Sequence, residues 1–273
     1  MKFIDIKNQV LQHQHRILMG VPDGVRPQRM LSSIIYALGQ KPELLNCHIG
    51  SVLGASIVAC NLGLAPDGIL GEGYFSVLHN QCQFLPGYKG LEKLAYRGGV
   101  DSIWAECVYQ DDTIKPYFFT VKLGTEKRIN HRPNLKVPRL EANIVHFYAV
   151  YKRGAEKEFK VLTRAEVDDL KLRYMAVGDQ QSAWLNFYPA MGKKSALTQL
   201  LKHSPLSADV SYAIGLIETN LAGKDQQLHL HLEGYMDNLV EEGLELKAED
   251  DLNEKAKKAR QSVFDNANKS GKK

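Results

Sequence analysis

Apolar residues along the chain switch between helical spacing and strict alternation, and the switches mark out its elements. From Ile49, the residues Val52, Leu53, Ile57, Cys60 and Leu64 recur at the period of a core helix, which ends near Gly63-Leu64-Ala65-Pro66-Asp67-Gly68. Tyr74–Leu78 and Cys82–Leu85 are strand-like runs around His79-Asn80-Gln81, predicting a hairpin. Gly87 then opens a helix whose inner stripe is Tyr88, Leu91, Leu94 and Ala95. Beyond Gly98-Gly99, Ile103, Ala105, Cys107 and Tyr109 alternate with Trp104, Glu106 and Val108, the two-residue period of a sheet strand. Phe118–Val121, Lys127–Asn130, Ile144–Tyr151 and Glu158–Leu162 supply further strands. Thr163-Arg164-Ala165-Glu166 has the form of a capping box and starts a helix with Val167, Leu170 and Tyr174 inward. Pro189 suits the first position of the next helix, from Ala190 to about Lys202.

The short connections between strands favour antiparallel pairing. Helices on both sides of such a run imply an α+β domain, an antiparallel sheet with a β-hairpin packed against helices, over residues 28–222. Residues 1–27 read as a peripheral short helix and linker, a candidate for self-association. Residues 223–273 read as a charged, partly disordered tail suited to a partner, with Leu239, Val240, Leu244 and Leu246 able to form a short helix.

Charge sharpens this division. The chain carries +4, but residues 218–273 hold 12 acidic and 9 basic side chains, a net of −3, which leaves +7 on the rest. A basic body of this kind suits a polyanionic partner. No apolar run reaches membrane-spanning length, and Met1-Lys2-Phe3-Ile4-Asp5 lacks the order of a secretory signal, so the cytosol is the expected compartment. Cys47, Cys60, Cys82 and Cys107 are scattered without a CxxC pair, which favours buried free thiols; His79 and Cys82 form the one tight His/Cys pair, too few ligands for zinc.

Two basic clusters are candidates for phosphate binding. Lys89, Lys93 and Arg97 fall at four-residue steps on one face of the Gly87 helix, with Gly90 thinning the first turn and unpaired amides at the helix start. The alternative is a solvated face on which Glu92 pairs locally. Met191-Gly192-Lys193-Lys194-Ser195 repeats the arrangement, with Lys202 two turns beyond Lys194; here the alternative is an ordinary pair of solvent-facing lysines. Tyr88, Trp184, Phe187 and Tyr188 lie near these clusters and could stack on bases, while Gln83 and Asn186 could donate to phosphate. Asp111-Asp112 and Asp168-Asp169 keep a metal-dependent nuclease open as a second reading, and a plain single-strand-binding module is a third. The chain has no Walker loop, HxxEH helix or nucleophile elbow.

Between Ser51 and Ser207 these blocks, in order, resemble the RecT family of phage-type single-strand annealing proteins. The resemblance is carried by Ser51-Val52-Leu53 through Leu62-Gly63-Leu64; Gly73-Tyr74 leading to Cys82-Gln83-Phe84; Gly87-Tyr88-Lys89-Gly90-Leu91 with Leu94-Ala95 and Arg97; His131-Arg132-Pro133; Tyr148-Ala149-Val150; and Trp184 followed by Met191-Gly192-Lys193-Lys194-Ser195-Ala196. It implies binding of single-stranded DNA and ATP-independent pairing of complementary strands in recombination and repair, with no required cofactor and no hydrolytic site. It also implies rings or filaments, an exonuclease partner, a host single-stranded DNA-binding protein nearby, and the cytoplasm of a bacterial host. The family's basic groove would here use Lys89, Arg97, Lys193 and Lys194, with Arg132 a further candidate. Where relatives commonly carry an arginine pair after the lysine block, this chain has Thr198-Gln199, which puts that part of the groove in question.

Overall fold

The computed structural model describes residues 2–174, 183–204 and 206–231. Its order is α1 (Phe3–Gln12), α2 (Gln14–Met19), α3 (Pro27–Gln40), α4 (Ile49–Leu62), β1 (Gly73–Leu78), β2 (Gln81–Pro86), α5 (Tyr88–Arg97) and β3 (Ser102–Tyr109). There follow β4 (Phe118–Lys122), β5 (Arg128–Arg132), β6 (Ile144–Arg153), β7 (Glu156–Thr163), α6 (Arg164–Tyr174), α7 (Ala183–Asn186), α8 (Tyr188–Lys202) and α9 (Ala208–Leu221). The α+β expectation holds, and every strand pairing is antiparallel: β1 with β2, β4 with β5, and a sheet of order β3-β6-β7.

Local chemistry explains the elements. α4 is buried along almost its whole length because it is apolar on every side, and it stops at Gly63, whose left-handed backbone (φ 62°) suits glycine. His79 and Asn80 take positive φ in the two-residue turn that pins the β1–β2 register. The Thr163 amide and hydroxyl both donate to Glu166, and the Glu166 amide returns a bond to the hydroxyl, closing the expected capping box.

The β3-β6-β7 sheet has two different faces. Ile103, Ala105 and Cys107 of β3 point inward, with α8 laid across all three strands. Gly192 makes this possible, because a Cβ there would fall 2.2 Å from the Phe147 ring. On the other face the β4–β5 hairpin packs through Phe119 and Ile129 against Val108, Tyr148 and Val150.

The ends of the chain differ from their expectation. Ile6, Val10 and Ile17 are fully buried, with α1 on α3 and α2 on α4, so the first 27 residues are not peripheral. Residues 1–228 form one compact unit. Residues 224–228 return to β2, where the Gln226 side-chain amide donates to the Phe84 and Leu216 carbonyls and its oxygen accepts from the Phe84 amide. The expected helix around Leu239 and the charged terminus lie outside the described residues. Among the described residues no helix is long and apolar enough to cross a membrane.

Candidate nucleic-acid interface

The two predicted helix starts converge on neighbouring residues of β3. The Ala105 amide donates to the Tyr88 hydroxyl at 3.2 Å, and the Cys107 thiol lies 4.0 Å from the Pro189 carbonyl. α5 and α8 also pack on each other, so Lys89 and Lys193 belong to adjoining helices near one strand. Lys89 is 62% exposed and pairs with Glu92 at 2.7 Å, the local pairing that the sequence left open. No ion pair among the described residues engages Lys193 or Lys194. Burial lowers the Lys194 ammonium to about 8, and no carboxylate among the described residues offsets that loss of water.

The rest of the α5 basic face is committed to the fold. Lys93 donates to the Gly63 carbonyl at 2.8 Å and to both Glu72 oxygens, and Arg97 donates to the Leu62 carbonyl at 2.6 Å and to Asp209 at 3.3 Å. Both cations thus satisfy the carbonyls left over where α4 ends, where positive charge is favoured. Lys202 is paired with Glu218. Arg132 is exposed at the end of β5, free of ion pairs among the described residues.

Several sequence expectations are corrected by burial. Gln83 is 0% exposed: its amide donates to Asp225 at 2.7 Å and its carbonyl accepts from the Gln226 amide, so it ties down residues 225–226 instead of facing phosphate. Trp184 is 3% exposed and lies 6.3 Å from the Tyr188 ring, which is itself buried with its hydroxyl on Asp168 at 2.6 Å. Tyr88 is held at β3. Of the four aromatic candidates only Phe187 is well exposed. The exposed indole is that of Trp104, which the alternation places on the face of β3 opposite Ile103 and to which it assigns no role. Nor do the glycines thin the side-chain layer for a ligand: a Cβ on Gly90 would sit 2.0 Å from the Glu72 carbonyl, and one on Gly192 would strike Phe147. Thr198 is buried, so the position where relatives carry arginine is a packing site here.

Three of the four aspartates in the acidic pairs are likewise occupied. Asp112 is fully buried and accepts from the Tyr109 and Asn134 amides, from both terminal nitrogens of Arg139 at 2.8 and 3.2 Å, and stands 3.2 Å from His131 Nε2. Burial pushes its carboxyl up, but these bonds outweigh it and hold the pKa below the ordinary value. Asp169 pairs with Arg173, and Asp168 with Tyr188 and Arg164. Burial also raises all four cysteine thiols, Cys47 and Cys107 to about 11.

The sequence model of the RecT family matches residues 28–227. The chain is also 26% identical over 215 residues to Protein RecT of Escherichia coli (strain K12), covering 75% of this chain and 76% of that relative.

Proposed function

The chain belongs to the RecT family, and from that premise we propose that it grips the phosphates of one DNA strand and leaves the base edges free to test a second. Membership makes it a recombination protein of the single-strand annealing kind. Its finer activity follows from charge placement. Lysines and helix-start amides that hold phosphates carry no sequence information, so any strand is accepted. Neutralising the backbone offsets the repulsion between two polyanions, and base pairing supplies the driving force without ATP or a metal. Rows of protomers make weak contacts on one strand act together.

The observation that supports this reading is that α5 and α8, which carry Lys89, Lys193 and Lys194, pack on each other and on β3, with Lys193 and Lys194 lacking ion pairs among the described residues. Arg132 is a further exposed cation, on the hairpin at the other face of the sheet, while Lys93, Arg97 and Lys202 are engaged by the fold. An exonuclease that exposes the strand, the host's single-stranded DNA-binding protein, and self-association into rings or filaments in the cytoplasm complete the proposal. The acidic tail is the natural partner segment.

The test uses labelled complementary oligonucleotides in chelator without ATP. The protein should accelerate pairing and leave both strands uncut. Cleavage on restoring divalent ions would point to a nuclease, and slowed renaturation to a coating protein.

A further inference from the structure

Where the β4–β5 hairpin crosses the sheet, a cavity of about 410 Å³ opens between Trp104, Ile129, His131, Tyr148, Lys152 and Lys157. It lies on the face of the sheet away from α8, and its size falls in the range of about 300–1,000 Å³ typical of small-ligand pockets. Its walls are pre-set. His131 stands 3.2 Å from the Tyr148 hydroxyl through Nδ1 and 3.2 Å from the buried Asp112 through Nε2, and the Phe119 ring stacks on Tyr148 at 5.8 Å.

Two features of this cavity are costly to an isolated fold. Trp104 stands in the middle of a strand with 42% of its surface in solvent. Lys152 and Lys157 are direct cross-strand partners, and no ion pair among the described residues engages either ammonium. Like charges placed directly opposite one another repel. Glu156 and Glu158, the acidic neighbours of Lys157, are turned to Arg153 and Lys127 instead. The arrangement is thus a flat aromatic platform with an anion site of two lysines at one end.

We propose that this groove binds one unpaired base of a single DNA strand, stacked on Trp104, with the flanking phosphates on Lys152 and Lys157. The proposal rests on the single-strand reading above and adds to it a contact on the opposite face of the sheet. β3 is an edge strand, so a DNA strand leaving the α5 and α8 starts can pass round it onto Trp104. A base lodged in the cavity cannot pair. Annealing must withdraw it, and the groove therefore distinguishes the single strand from the finished duplex.

The test is fluorescence and affinity with oligo(dT), an abasic oligonucleotide of equal length, and a mixed-sequence strand followed by its complement. The intact protein should show indole quenching with a single strand that is reversed on adding the complement. Trp184 is buried, so Trp104→Phe should abolish most of the signal while retaining most of the affinity. Trp104→Ala should weaken oligo(dT) binding about 10-fold and leave abasic binding unchanged. Lys152→Ala with Lys157→Ala should flatten the salt dependence by about 1.4 in slope. Intact oligo(dT) binding with Trp104→Ala indistinguishable from the unaltered protein overturns the groove and leaves the annealing proposal standing. Changed sedimentation of Trp104→Ala with unchanged DNA affinity makes the face a surface for self-association and also overturns it. Failure of the unaltered protein to bind any strand removes both.

Discussion

Arg139 holds Asp112 with both of its terminal nitrogens, at 2.8 and 3.2 Å, and so clamps the segment after β5 to the end of β3. The same carboxylate takes two backbone amides and faces His131, which makes it the hub on which the hairpin is hung. Breaking a buried charge pair from one side leaves the other charge uncompensated, at a cost of about 3–5 kcal/mol. Asp112→Ala should therefore lower the urea midpoint sharply. Asp112→Asn should do so less at low pH, because the depressed native pKa means that the carboxylate's contribution is present above about pH 4 and lost as pH falls through the native pKa. An unchanged acid limb in Asp112→Asn would assign acid sensitivity elsewhere.

Lys93 and Arg97 cap the end of α4, so removing them should register in stability and not in DNA binding. For Arg97→Ala we expect a decrease of about 1 kcal/mol in denaturant unfolding, with the slope of log affinity against log salt unaltered. A lowered slope at full stability would return Arg97 to the DNA surface.

Lys193→Ala with Lys194→Ala should weaken binding to unrelated strands alike and reduce the salt slope by about 0.7 for each phosphate that is no longer neutralised. No change in slope would take both lysines out of the interface.

Lys194 also carries a pH signature. Its native pKa, pushed down to about 8 by burial, lies below that of the unfolded chain, so the unfolded state holds the extra proton between about pH 8 and pH 10.4. Stability should rise with pH across that window, and Lys194→Met should lack the rise in thermal midpoint. DNA binding near pH 9 should take up a proton, visible as a binding enthalpy that depends on the buffer.

Gly90→Ala and Gly192→Ala test whether these glycines serve packing. Each Cβ would collide with rigid neighbours, the Glu72 carbonyl and the Phe147 ring, and overpacking costs about 1–3 kcal/mol or more. Both variants should melt lower. Normal stability with impaired DNA binding would restore the idea that ligand approaches them.

Periodicity was enough to find α4, the β1–β2 hairpin, α5, β3, β6, β7, α6 and α8 to within a few residues, because each buries one face or, in α4, all faces. It also separated Trp104 from Ile103 and Ala105, although nothing local tells an outer-face tryptophan under a hairpin from one in water. The N-terminal helices were underestimated for a related reason: Ile6, Val10 and Ile17 are widely spaced, and their burial depends on α3 and α4.

What this chain settled by itself was the strands and most of the helices that pack on them, the α+β class and which residues carry charge, since these depend on periods of two and about 3.6 and on side-chain chemistry. Which of those charges are free was decided by folding. Lys93 and Arg97 share a face with Lys89 in the sequence, yet they point at the carbonyls where α4 stops, far back along the chain. Gln83 is polar and Trp184 large, but long-range partners bury both, while β6 and β7 bring Lys152 and Lys157 together beside Trp104. An ammonium binds whatever acceptor the fold presents first, and distances between remote segments exist only once the chain is packed.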